Sequence, residues 1–241
     1  MGQSWSNFRR KRNAASLQEL VPRKTPGHDT PLPKLDRKTL LKALSNVAIS
    51  INKAKGNVTV IAIGGAVNTI HLQSRDATHD VDFFNDYLTP REFEVLINGA
   101  RKAADKDKHL DEGWFNNRTI FFIPQDQRQE LSREAYQQNE VIFQQPGLTV
   151  LAAPWNYAFC CKVDRLAGGG LHSARKYDLS DAVEYLARYL MAAGMPWISM
   201  DTAMDWFRRF SLRWTDNNDQ AIVRVNATYA SRFGVDHDVI R

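Results

Sequence analysis

Six consecutive residues, Val58-Thr59-Val60-Ile61-Ala62-Ile63, are apolar or β-branched, and Gly64-Gly65 stop the run. A segment of this kind is a buried strand by type, because β-branched side chains pack well on a pleated surface and no polar alternation marks a solvent face. A chain holding such a strand has to build a sheet around it. Upstream, Leu40, Leu41, Leu44, Val47, Ala48 and Ile51 recur at helical spacing behind Asp36, a plausible N-cap, and Gly56 ends that helix. Downstream, Ala66–Gln73 reads as a short helix and Asp80–Phe84 as a second strand. Thr89 and Pro90 open a helix running to about Ala104, Arg118–Ile123 reads as a third strand, and Arg128–Gln137 as a helix. Glu140–Phe143 and Leu148–Ala152 flank Gln144-Gln145-Pro146-Gly147, a hairpin signal.

After Pro154 the pattern is helical throughout: Pro154–Leu166, Lys176–Ala193, Asp201–Arg213 and Asn218–Phe233. The order predicts an α/β (α+β) fold, a small mixed twisted sheet with helices followed by a helical C-terminal bundle. The expected organisation is a leader over 1–34, an α/β domain over 35–153 and a helical domain over 154–241, with a soft boundary near Ala153. The length of 241 residues suits one ordinary domain or two small ones, and 43% hydrophobic with 24% charged residues is ordinary for a soluble globular chain.

The composition excludes several classes. No apolar run approaches the roughly 20 residues that span a bilayer, and the N-terminus lacks a secretory apolar core. The two cysteines, Cys160 and Cys161, are adjacent, so neither a disulfide scaffold nor a zinc module is available, and a reducing, cytoplasmic compartment fits. The net charge of +5 is local: residues 1–34 carry seven basic side chains against two acids, and the rest of the chain is balanced. The body therefore has no global basic bias toward nucleic acid.

The leader holds four of the nine prolines and reads as mostly disordered. Its start, Met1-Gly2-Gln3-Ser4-Trp5-Ser6, fits the N-myristoylation pattern with Gly2 as acceptor, followed by Arg9, Arg10, Lys11 and Arg12. One myristoyl chain binds membranes only marginally, while basic residues on an anionic leaflet add about 1 kcal/mol each. A lipid and a basic cluster together make a peripheral membrane contact through residues 1–12. An unstructured basic leader with an accidental match is the other reading.

The chemistry-bearing stretch runs from Gly64-Gly65 to Asp80-Val81-Asp82. Residues i and i+2 of a strand face the same side, so Asp80 and Asp82 project together about 7 Å apart. Two ionised carboxylates this close repel unless a cation lies between them, and all-oxygen ligands suit Mg2+ or Mn2+. The paired glycines end a strand and open a helix, which leaves backbone N–H groups bare where phosphates sit. Carboxylates, a metal and a phosphate cradle are the equipment of phosphoryl transfer.

Gly64-Gly65 followed by Arg75, Thr78, Asp80 and Asp82, in the order R-x-x-T-x-D-x-D, resembles the DNA polymerase beta-type nucleotidyltransferase superfamily, closest to its AbiEii-like abortive-infection toxin branch and related uncharacterised proteins. Lys162, Arg165, Arg175-Lys176-Tyr177-Asp178 and Asp181 resemble that branch's helical K…R…KD..D signature, and the two segments span residues 58–190. The resemblance implies a nucleotidyltransferase fold with its cleft between the two halves. It implies that Gly64 and Gly65 approach the nucleotide phosphates and that Asp80 and Asp82 hold the divalent metal. Lys162 would contact the triphosphate with Asp178 positioning it, Arg75 would orient the acidic strand or a phosphate, and Thr78 would brace the turn. The superfamily usually has a third carboxylate on a neighbouring strand, for which Glu140 is the candidate by position.

The leading expectation is thus a metal-dependent transfer of a nucleoside monophosphate from an NTP to a hydroxyl of RNA, protein or a small molecule. The alternatives are a catalytically silent nucleotidyltransferase-like binding module tethered through its leader, and an RNA-binding protein using the leader as a basic arm. Other notable residues read as structural: His71 and His79 beside the site, Cys160-Cys161 in a helix core, and Gly168-Gly169-Gly170 as a hinge. Trp197, Trp206, Phe207, Phe210 and Trp214 read as core of the helical half, with base stacking as the lesser reading.

Overall fold

The computed structural model of the chain describes residues 33–168 and 174–241. Gly2, the basic cluster after it, and Gly169 and Gly170 lie outside the described residues.

The buried run forms β2 (Val58–Ile63), the middle strand of a five-stranded mixed sheet ordered β5-β4-β2-β7-β6. The others are β4 (Val81–Phe84), β5 (Phe115–Asn116), β6 (Val141–Gln145) and β7 (Leu148–Ala152). β2 runs parallel to β7 and antiparallel to β4, β4 is parallel to β5, and β6 and β7 form the expected antiparallel hairpin. Gly147 makes its turn at φ +101°, and a Cβ there would sit 2.5 Å from the Ala48 carbonyl. A separate two-stranded ribbon pairs β1 (Leu35–Asp36) with β3 (Ala77–Thr78).

Helix α1 (Arg37–Lys53) starts where Asp36 accepts from the Thr39 N–H at 2.8 Å. It buries the apolar positions named above and packs on α3 (Pro90–Lys106), which opens with a full Thr89–Glu92 capping box. Gly99 lets the two approach: its Cβ would stand 3.2 Å from Val47 Cγ1. The short helix α2 (Gly65–Val67) continues as a π-turn over Asn68–Leu72.

One expected strand is corrected. Arg118–Phe122 is a 3-10 helix, and the strand of that region is Phe115–Asn116. The apolar run Ile120-Phe121-Phe122 does not enter the sheet: Phe121 and Phe122 are about 60% exposed (60% and 59%). Arg128, on α4 (Gln125–Gln138), holds the turn instead, donating to the carbonyls of Ile120 at 2.8 Å and Ile123 at 3.0 Å.

At the end of β7 the Ala153 N–H donates to the Ala62 carbonyl, and Pro154 starts α5 (Trp155–Leu166). Gln138 of α4 bridges this corner, accepting from the Trp155 N–H at 2.9 Å and donating to the Ala153 carbonyl at 3.1 Å. Helices α6 (Asp178–Ala193), α7 (Met200–Arg209) and α8 (Asp216–Phe233) follow, with α7 ending sooner than its sequence pattern suggests. The last residues return to the bundle, where Asn226 holds both the N–H and the carbonyl of Ile240. Trp206, Phe207 and Phe210 are buried as expected, whereas Trp197 is exposed. The boundary near Ala153 is a change of secondary structure inside a continuous core that runs from Leu35 to Ile240. No helix among the described residues is long and apolar enough to cross a membrane.

Candidate functional site

Asp80, just ahead of β4, and Asp82 within it alternate with Val81 and Phe83, which are fully buried, while the two acids are only part-buried. They therefore share the side of the strand opposite the core. The register sets Asp82 across from Ile63, one residue before Gly64. The acid pair and the glycine turn are thus neighbours at one end of the β2–β4 ladder.

The two glycines have different reasons to be there. Gly64 sits at φ +73°, ψ −130°, a backbone state that side chains disfavour, and the space its Cβ would enter holds nothing within 4 Å. Gly65 is sterically required: a Cβ there would collide with Thr78 Oγ1 and lie 2.8 Å from Thr78 Cβ. Thr78 thus braces the turn by filling the place of a missing side chain.

Burial pushes the Asp82 carboxyl up to about 7, and the neighbouring Asp80 charge adds to the effect, while a hydrogen bond from Asn116 opposes it. Asp80 is raised as well, chiefly by burial, against the pull of Arg118. Neither acid makes an ion pair among the described residues; the ion pairs of this region belong to other carboxylates. Arg118 and Arg175 act on both acids through space, and Asp111 repels Asp80.

A second cluster lies beneath the glycine turn. Lys162 of α5 is 5% exposed, and its Nζ is 2.8 Å from both Asp178 Oδ1 and Asp181 Oδ2. Arg75 donates to both oxygens of Asp181 and stacks over the Tyr177 ring at 3.5 Å. Asn68 donates to Asp181 and accepts from the Tyr185 hydroxyl, which also reaches the Gly64 carbonyl at 3.3 Å. Burial opposes the charge on Asp178, yet Lys162 holds its carboxyl below the usual range. Lys162, Arg75, Asp178 and Asp181 are therefore joined in one buried charge network that ties α5 and α6 to Gly64.

Glu140 is not brought to the aspartate pair. It precedes β6, with β7 and β2 lying between β6 and β4, and its carboxylate is 2.7 Å from His71 Nε2. The residue beside Asp82 on the adjoining strand is Asn116. His71 packs between this carboxylate and Trp155, and His79 Nδ1 contacts the Pro33 carbonyl at 3.0 Å, so both histidines have structural partners. Cys160 is buried in the α5 core, with burial raising its thiol.

Asp111, Asn116 and Arg118 escape the sequence reading. Their segment, Asp111-Glu112-Gly113-Trp114-Phe115-Asn116-Asn117-Arg118, carries no periodic signal, and Arg118 reads as the start of a strand that does not form. The acid pair is part-buried at the start of β4. A cavity of about 300 Å³ occupies the other end of β4, lined among others by Phe84, Asn85, Phe93 and Ile120.

One family, described as a domain of unknown function (DUF7582), matches residues 34–236. The chain belongs to this family. The DUF7582 match covers the sheet and the helical bundle alike, so the acid pair on β4 and the buried network on α5 and α6 both fall inside it. No curated protein and no solved structure matches the chain.

Proposed function

We propose that this DUF7582 chain is a metal-dependent nucleotidyltransferase that moves a nucleoside monophosphate from an NTP to a hydroxyl of RNA, protein or a small molecule. The observation that carries this reading is the acid pair itself: two part-buried carboxylates on one strand face, without an ion-paired partner among the described residues, beside a glycine turn with open space above it. Such a donor set suits a hard divalent cation. Mg2+ typically takes one or two carboxylates and completes its shell with water and substrate phosphate oxygens. Asp80 and Asp82 would hold Mg2+ or Mn2+, which supplies charge neutralisation at the phosphates and activation of the attacking hydroxyl. Gly64 and Gly65 offer the backbone face toward which the phosphates would lie. The buried network around Lys162 and Asp181 keeps that turn in place through Asn68 and Tyr185.

A second reading, a catalytically silent nucleotide-binding module, is favoured by Asn116 standing beside Asp82 on the next strand and by Glu140 lying beyond two intervening strands. Among the described residues no group of three or more His, Cys, Asp or Glu side chains is placed to hold a metal. Either form of the protein, with or without Gly2 lipidation, keeps the same acid pair.

The test is a screen of the four labelled NTPs with Mg2+ or Mn2+ against total RNA and the protein itself, beside the Asp80→Asn/Asp82→Asn double variant. Label transfer that the double variant loses supports the enzyme. Metal-dependent NTP binding without transfer supports the silent module. No metal-dependent NTP binding by the wild type rejects both.

A further inference from the structure

We propose that Arg118 receives the triphosphate tail of the nucleotide once a divalent cation occupies the Asp80–Asp82 pair. This inference rests on the nucleotide and metal reading above and assigns a residue that the sequence motifs leave out.

Three features of the fold point to Arg118. Its backbone is fixed: the Arg118 N–H donates to Asn116 Oδ1 at 3.0 Å, directly beside Asp82 in the sheet, and Arg128 clamps the 3-10 turn that follows. Its side chain is given room: a Cβ on Gly113 would stand 2.8 Å from Arg118 Nη2, so the guanidinium lies across bare backbone. Its charge is not consumed, since Arg118 pairs with no carboxylate among the described residues while acting on both Asp80 and Asp82.

Charge balance then sets the ligand. Leaving aside the His79 imidazole, and with both carboxylates ionised as a bound cation requires, Arg118 and Arg175 act against Asp80, Asp82 and Asp111, one negative charge in excess before the cation is counted. A bound divalent cation turns that into one positive charge in excess. The loaded site therefore attracts an anion. The planar fork of a guanidinium matches two phosphate oxygens at once, which an ammonium does not. Arg175 adds to the field, but its guanidinium already donates to the Tyr177 hydroxyl at 3.2 Å. Arg118 is the arginine with its fork at liberty for phosphate.

The experiment uses the full chain with two probes: Mn2+ followed by electron paramagnetic resonance, and Mg2+–tripolyphosphate followed by calorimetry. Arg118→Gln should bind Mn2+ as well as the wild type or better, because a like charge has left the cation's neighbourhood. It should lose about tenfold or more in tripolyphosphate affinity. Arg118→Lys should fall between the two. Gly113→Ala, which leaves Arg118 present but displaces its head, should also weaken tripolyphosphate and spare Mn2+. Thermal melts establish that each variant folds. Wild-type tripolyphosphate affinity in both Arg118→Gln and Gly113→Ala, with Mn2+ still bound, overturns this inference and leaves the acid-pair reading standing. Loss of Mn2+ by folded Arg118→Gln also overturns it, since Arg118 would then be shaping the metal site. A wild type that binds no Mn2+ overturns the acid-pair reading, and this inference falls with it.

Discussion

Lys162 Nζ stands midway between two carboxylates of one helix, 2.8 Å from Asp178 and 2.8 Å from Asp181, with both acids fully buried. The lysine is spent on this pairing before any ligand arrives. Removing one member of such a group strands the opposite charge in a low-dielectric setting. Lys162→Met or Asp181→Asn should each cost about 3–5 kcal/mol, read by chemical denaturation. A cost below about 1 kcal/mol, the scale of exposed pairs, would contradict the buried network.

Gly65→Ala should be destabilising by about 1–3 kcal/mol, the usual penalty of overpacking, because the new methyl meets Thr78. Gly64→Ala meets no neighbour, and its cost of about 1–3 kcal/mol is conformational, arising from the backbone state at φ +73°. The two are separated by adding Thr78→Gly: this relieves Gly65→Ala and does nothing for Gly64→Ala. Equal relief of both would contradict the packing described.

The Asp82 carboxyl binds its proton more tightly in the folded chain, with a value of about 7 against an ordinary 3.8. Its contribution is therefore most favourable below the ordinary value and is lost as pH rises toward 7. The full shift would correspond to about 4 kcal/mol, which partial exposure reduces to about 1–2 kcal/mol. Asp82→Asn should accordingly stabilise the metal-free chain at pH 8 and have little effect at pH 4. Added Mn2+ should raise the melting temperature of the wild type at pH 8 and leave the double Asn variant unmoved. Melting curves that are parallel across pH for wild type and Asp82→Asn would count against the burial and repulsion that raise this carboxyl.

Glu140→Gln should leave Mn2+ binding unchanged, because its carboxylate faces His71 at the far side of the sheet. Stability should move by less than about 1 kcal/mol, the ordinary worth of a part-exposed pair. A Mn2+ affinity that falls in this variant would reinstate Glu140 as a ligand.

The sheet and its helices are legible in the sequence because local signals there agree with the tertiary outcome. Asp36 caps α1, Thr89 and Glu92 close a capping box, and β2 spans the apolar run from Val58 to Ile63. The same is true of Asp80 and Asp82, whose spacing alone places them on one face. Arg118–Phe122 misleads because its apolar residues satisfy a strand pattern while Arg128, on the helix that follows, secures a helical turn through the Ile120 and Ile123 carbonyls. Glu140 misleads because strand order is non-local: the strand it precedes is carried to the far edge of the sheet by the β7 pairing with β2. The charge network shows as a motif in the sequence, but the choice of partners within it, Arg75 with Asp181 across more than a hundred residues, does not.

Trp155 and Tyr185 stack on each other, and Tyr185 reaches from the helices to the Gly64 carbonyl, so a turn that precedes residue 153 rests on side chains that follow it. Among the described residues the sheet and the helical bundle share one core, so the turn is anchored by both. Under the proposed function, discrimination among nucleotides would fall to the side chains around that turn and the acid pair beside it.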